Sequence, residues 1–184
     1  MRFAMTRKGL HIIHPLTDLT LVCGYDEEGI PTLQSVCFGR ISEYQGEQLR
    51  MGPDEFLHRC SGVFRRYLDG EHVSFDHIPI DIGGATVFQK AVWEAARRIP
   101  PAHMLSYARL AQACGRPRAV RAVASALRRN RYPLVIPCHR VIRGDGAIGG
   151  FCGVSKGKLV DLKRRLLELE RRSLESALRA PLAG

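Results

Sequence analysis

No apolar run in this sequence approaches the roughly 18 residues that a membrane helix needs, so a helical membrane span is excluded. No two of its six cysteines (Cys23, Cys37, Cys60, Cys114, Cys138 and Cys152) form a C-x-x-C pair. That scatter speaks against a disulfide framework and for reduced thiols, with no spacing that favours a bridge. Internal repeats and low-complexity segments are absent. The N-terminus, Met1 to Lys8, leads into a stretch broken by His11, His14 and Pro15 and has no signal-peptide core, which predicts a cytoplasmic protein, or a nuclear one in a eukaryote. What remains is 184 residues, 45% hydrophobic and 25% charged, the balance of an ordinary globule with one large domain or two small ones.

Acidic residues are scarce in one half only. Residues 1–85 hold 8 basic and 12 acidic side chains, whereas residues 86–184 hold 20 and 6. The second half thus carries all of the net charge of +10 and more, mostly as arginine. Such a half fits a polyanionic partner, with nucleic acid the leading candidate; a merely solvated arginine-rich surface is the alternative.

The first half reads as a small α+β unit. Leu19 to Cys23 is strand-like, Gly24 to Gly29 is turn-rich, and Leu33 to Phe38 suits a return strand. After Gly52-Pro53-Asp54, Phe56, Leu57, Cys60, Val63, Phe64 and Tyr67 recur at helical spacing until Gly70. Pro79 and Gly83-Gly84 mark a linker. The second half is mostly helical. A helix spans Phe88 to Arg98, and Ser106 caps another over Tyr107 to Cys114. Gly115 breaks that helix, and Pro117 opens the first turn of the next, which runs to about Arg129. Helix, glycine turn, helix is a helix-turn-helix pattern. On the last helix Val120, Val123, Ala124 and Leu127 form an inward stripe. Arg118, Arg121, Ser125 and Arg128 share the opposite face, suited beside small Ala122 to close approach to DNA.

Pro133 to Ile142 carries the chemistry. An apolar, strand-like run stops at Pro137, and Cys138-His139-Arg140 follows. A buried cysteine is usually only a small hydrophobe, but an adjacent imidazole can take its proton and release the nucleophilic thiolate. The segment Ile136-Pro137-Cys138-His139-Arg140-Val141 resembles the active-site motif of the O6-alkylguanine-DNA alkyltransferases. The similarity runs in order through Phe88-Gln89, Val92-Trp93, Ile99-Pro100, Ser106-Tyr107, Leu110-Ala111, Ala119 to Val123, Asn130, and Gly144-Asp145-Gly146 to Gly149-Gly150-Phe151. Ala119 to Ala126 looks especially like the bacterial adaptive-response members.

The resemblance implies an α+β chain: a small N-terminal α/β domain of ribonuclease-H-like fold over residues 1–82, giving structural support, and a DNA-binding, alkyl-accepting domain over residues 86–184. Cys138 would accept an alkyl group from O6-alkylguanine, with O4-alkylthymine as a second lesion. His139 would take its proton through a water, and Glu170, aligned ahead of its rival Glu168, would orient the imidazole. Asn130 would brace the cysteine segment, and Tyr107 would hydrogen-bond the departing guanine. Arg121 would enter the base stack, with Arg118, Ala122, Ser125 and Arg128 against DNA. Pro133, Val141, Phe151, Cys152 and Gly153 would line the pocket. The partner would be double-stranded DNA, met through its minor groove by a monomer that needs no membrane and no cofactor. Three positions depart from the family pattern: Cys152 replaces a small hydroxyl residue, Phe151 replaces Tyr, and the segment from Gly153 to Lys163 is longer.

Some relatives carry a structural zinc in the N-terminal domain. Here Cys23, His11, His14, His72 and His77 offer no tight ligand pair, and no metal is expected. A non-catalytic lesion-binding relative is the alternative function, but it would lack the acceptor that Cys138 supplies. A transcription regulator would leave Pro137-Cys138-His139 unexplained, and thiol proteases do not usually place Cys and His adjacently.

Overall fold

The computed structural model describes residues 7–179. Residues 1–6, which open the segment judged to lack a signal-peptide core, lie outside the described residues, as do residues 180–184. The described chain divides into two compact units: the residues up to Asp69 with Val73–Gly83, and Gly70–His72 with the residues from Gly84 onward.

The first unit is built on a four-stranded sheet in the order β3-β2-β1-β6, from β1 (Lys8–Ile12), β2 (Leu19–Tyr25), β3 (Pro31–Phe38) and β6 (Arg50–Met51). A two-residue pair, β4 (Glu43–Tyr44) and β5 (Glu47–Gln48), lies between β3 and β6 in sequence. β1–β2 and β2–β3 are antiparallel, and β1–β6 is parallel. Residues Leu19 to Gly24 of β2 are all buried, as suits a strand covered on both faces. Helix α1 (Glu55–Leu68) buries Phe56, Leu57, Cys60, Phe64 and Tyr67. Asp54 starts it by accepting from Leu57 N at 3.0 Å, and also receives the Tyr25 hydroxyl and Lys8 Nζ, so the helix cap ties β1 and β2 to the helix. Gly70, at φ +90°, follows its end. Pro79 is no free linker. Leu33 N donates to Pro79 O and Asp81 N donates to Leu33 O, both at 2.9 Å, which stitches this segment to β3; past it, the chain passes to the second unit between Gly83 and Gly84.

The second unit opens with α2 (Val87–Arg97), started by a reciprocal cap between Thr86 and Gln89. Then come β7 (Leu105–Ser106), α3 (Tyr107–Ala113), α4 (Val120–Arg128), a 3₁₀ turn (Cys138–Arg140), β8 (Val141–Ile142) and the long α5 (Lys158–Arg179). Ser106 caps α3 by accepting from Arg109 N, and Gly115 adopts φ +68° to leave it. Helices α2, α3 and α4 pack on one another, and Trp93 Nε1 donates to Ala126 O at 2.9 Å.

Three sequence expectations are corrected here. Pro117 and Arg118 lie in the turn before α4, which starts at Val120 behind Ala119, so Arg118 is not on the helix. Ala124 is exposed; the buried face is Val123, Ala126 and Leu127, which share one side at about 100° per residue, and Ala124 falls at about a right angle to it. Finally, Pro133 to Ile136 is not a strand but a tight turn in which Ile136 N donates to Tyr132 O, with Leu134 at φ +77°.

Candidate active site

The parallel pairing of β7 with β8 sets Leu105 against Val141 and Ser106 against Ile142. It therefore brings Tyr107, first residue of α3, beside the 3₁₀ turn that carries Cys138. That turn begins where Pro137 has no N–H to offer, and Cys138 N donates back to Ile136 O. Asn130, just past the end of α4, accepts from Tyr132 N through Oδ1. Through Nδ2 it donates to Ile136 O at 2.9 Å and to Cys138 Sγ at 3.3 Å. One amide thus holds both the turn and the sulfur.

Behind the thiol lies a buried charged group. Glu170 Oε1 is 2.9 Å from His139 Nε2, and Arg140 grips both carboxylate oxygens through Nε while Nη2 takes Oε1 at 2.8 Å. Ala102 N donates to Oε2, and Arg140 Nη1 donates to Ile99 O. Burial works to raise the Glu170 pKa, but the hydrogen bonds and charges of His139 and Arg140 outweigh it and hold the carboxyl well below its usual range. Burial holds His139 below 6.5, against the pull of Glu170. The carboxylate can only accept, so Nε2 carries the imidazole proton and Nδ1 is the basic nitrogen.

Neither Arg140 nor Lys163 was assigned to this site from the sequence. Lys163 is fully buried, donating to Val141 O at 2.6 Å and Gly150 O at 3.1 Å. Burial brings its pKa down to about 8, while the charges of Cys138 and Cys152 hold it up. A signal was there: Lys163, Leu166 and Glu170 recur at helical spacing and, with Leu162, form the buried face of α5. Glu168 points away, into ion pairs with Arg171 and Arg172.

Cys138 forms part of the wall of an open cleft of about 850 Å³ with Tyr107, Ala124, Arg128, Phe151, Cys152 and Gly153. Cys152 and Gly153 occupy the corner of a tight turn closed by Phe151 N to Val154 O and Val154 N to Phe151 O. Both adopt positive φ, 45° and 86°. Gly150 precedes the turn, and a Cβ there would lie 2.7 Å from Val154 O, so no other residue fits unshifted. The Cys138 thiol is held below its ordinary range, first by a hydrogen bond from Cys152. Burial opposes this, while the Asn130 hydrogen bond and the Lys163 charge add to it. Burial raises the pKa of Tyr107, so it stays a phenol able to donate.

Pro133 and Val141 do not line the cleft. Both are buried, Pro133 in the turn opposite Ile136 and Val141 in the β7–β8 pair. Arg121, Ala122, Ser125 and Arg128 are exposed on α4, and Arg118 is exposed in the turn before it. Among the described residues, no three His, Cys, Asp or Glu side chains gather to hold a metal ion; His11 pairs with Thr20 and His14 with Asp69. No described helix is long and apolar enough to cross a membrane.

A mixed α/β chain with a small sheet unit, a helical unit and a thiol on a cleft wall over a His–Glu–Arg cluster defines a class already known. Residues 87–172 match the model of the 6-O-methylguanine DNA methyltransferase DNA-binding domain. The methylated-DNA–protein-cysteine methyltransferase of Methanothermobacter thermautotrophicus is 38% identical over 165 residues, 89% of this chain and 85% of that one. The crystal structure of Mycobacterium tuberculosis O6-methylguanine methyltransferase aligns with a TM-score of 0.72 at 31% identity, covering 96% of each chain. That of Mycobacterium tuberculosis OGT in complex with DNA aligns at 0.72 and 30%, covering 91% of this chain and 93% of that one. The chain belongs to the methylated-DNA–protein-cysteine methyltransferase family.

Proposed function

We propose that this chain repairs DNA by direct reversal, transferring the alkyl group of O6-alkylguanine to its own Cys138 in a single irreversible turnover. The observation that carries the reading is a thiol of lowered pKa that lines a cleft and is backed by a buried His–Glu–Arg cluster, in a member of this family. Glu170 fixes the proton of His139 on Nε2, so Nδ1 takes the Cys138 proton through a water. Sulfur then bonds the alkyl carbon as its bond to the guanine oxygen breaks. The negative charge gathering on the base is relieved by the Tyr107 hydroxyl and by backbone amides of Cys152 and Gly153. The product is a thioether, which no group in the cleft is equipped to hydrolyse, so each molecule reacts once and needs no cofactor.

A base inside a duplex is out of reach, so the lesion must be turned out into the cleft. Arg121 enters the vacated stack, with Arg118, Ala122, Ser125 and Arg128 against the backbone. The small Ala122 and Ser125 suit the close approach of α4 to a minor groove, in a helix-turn-helix made of α3 and α4. We read the chain as a cytoplasmic monomer, since a nucleophilic thiolate persists only where thiols stay reduced. Residues 1–82 act as structural support for the alkyl-accepting domain of residues 86–184. Intact-mass spectrometry after mixing with a duplex bearing one O6-methylguanine tests the reading. One methyl group should appear on the Cys138 peptide. Cys138→Ser should gain none yet still bind duplex; a methyl group on Cys152 instead would reassign the acceptor.

A further inference from the structure

Two thiols meet in this cleft, and alkyl transfer uses one. Cys152 donates a hydrogen bond to the Cys138 sulfur, and both line the same opening, wide enough for any small oxidant. Cys152 occupies the first corner of a two-residue turn at φ 45°, where glycine, asparagine or aspartate is the favoured residue. A disulfide needs sulfurs about 2.0 Å apart, so bridging requires the hydrogen-bonded sulfurs to approach one another. None of the six cysteines is in a disulfide here.

We propose that Cys138 and Cys152 form a peroxide-reactive dithiol site, in which Cys152 resolves oxidised Cys138 as a reversible disulfide. The Cys138 thiolate attacks one oxygen of a hydroperoxide. The O–O bond breaks, the distal oxygen leaves as water or alcohol after taking a proton, and Cys138 becomes a sulfenic acid. The Cys152 sulfur then displaces that hydroxyl. Its thiol proton leaves with the hydroxyl as water, and the S–S bond forms, so two electrons have passed from the sulfurs to the peroxide. Without a neighbouring thiol a sulfenic acid goes on to the sulfinic acid, which no thiol reductant reverses. The same lowered pKa that makes Cys138 a good alkyl acceptor exposes it to this loss, and Cys152 converts the loss into a recoverable state.

The test treats the full chain with hydrogen peroxide and maps its peptides without reduction. The expected result is a mass lower by two hydrogens, a crosslinked Cys138–Cys152 peptide pair, and full return of methyl-accepting capacity after dithiothreitol. In Cys152→Ser and Cys152→Ala, each compared with its own untreated capacity, Cys138 should instead gain two oxygens and dithiothreitol should restore nothing. Crosslinking of another cysteine pair, or sulfinic acid at Cys138 of the unsubstituted protein to the same extent as in the variants, would overturn the proposal. Peptide mapping of the unsubstituted protein does not depend on the variants folding. It is also independent of alkyl transfer: if the repair reading failed, methyl uptake would be absent while the crosslink still formed.

Discussion

At the residue scale, the weight of the site falls on Glu170. Its carboxylate answers two partners at once, and Arg140 has no other acid to pair with in the buried cluster that the structure describes around it. Glu170→Gln would leave a buried guanidinium without its counter-charge, which typically costs about 3–5 kcal/mol. It would also loosen the tautomer of His139. We expect a clear fall in the denaturation midpoint, a higher apparent pKa for Cys138 in a thiol-titration assay, and slower methyl uptake. Glu168→Gln should change none of these, because its partners Arg171 and Arg172 are in solvent. Acid should act through the same pair. Burial holds His139 below 6.5, so the unfolded chain binds a proton that the folded one refuses, and stability falls as pH drops below about 6.5. Glu170, held below its usual range, adds a second loss as pH falls through the ordinary carboxylate range toward its folded value. Urea midpoints measured from pH 7 to pH 4 should decline throughout. The sequence made Cys138, His139 and Glu170 legible, because motif residues with unusual chemistry stand out. Arg140 and Lys163 were hidden among many arginines and lysines, since a charge is assumed solvated until its acceptors are known.

Among the elements, those with strong local signals were legible: α1 between Asp54 and Gly70, α3 between Ser106 and Gly115, and the paired strands β2 and β3. β1 was not, because its burial follows no clean alternation and its parallel bond to β6 joins residues far apart in sequence. The turn at Pro133 to Ile136 was misread because a short apolar run looks alike as a strand or as a buried corner. The start of α4 was misplaced because Pro117 suits a first helical turn as well as the turn ahead of it. The correction sharpens the function of this helix. Arg121, Ala124, Ser125 and Arg128 now stand on one exposed face, and Ala124 and Arg128 belong to the cleft wall. A side chain that enters the base stack from this face matters only when there is a stack. Arg121→Ala should therefore slow repair of duplex O6-methylguanine by about ten-fold or more, within the ~1–3 kcal/mol typical of a lost arginine contact. Its reaction with free O6-benzylguanine should be nearly unchanged. Equal losses on both substrates would mean that Arg121 shapes the cleft itself.

The whole molecule is electrically divided along its sequence, and this was legible from composition alone. Residues 1–85 are net acidic, and the excess of arginine and lysine lies in residues 86–184. Some cations of this half are held by acids of the same half. Arg140 is spent on Glu170, Arg143 pairs with Asp145, Arg164 with Asp161, and Arg171 with Glu168 and Glu175. The net charge already subtracts those acids, so the excess stays available to a partner, and Arg118, Arg121 and Arg128 are among the exposed side chains that carry it. Phosphate neutralisation releases counterions, so the logarithm of the binding constant should fall linearly with the logarithm of salt, at about −0.9 per phosphate contacted. With three to six contacts the slope is about −3 to −5. Arg118→Ala and Arg128→Ala should each reduce its size by about one, as expected for the loss of a phosphate contact. Arg171→Ala should leave the slope as it was, since its charge is taken up by two glutamates of its own helix. Fluorescence anisotropy of a labelled undamaged duplex over a salt series measures all four slopes. Should Arg171→Ala flatten the line as much as Arg128→Ala, binding would follow net charge alone and the face of α4 would have no privileged part in it.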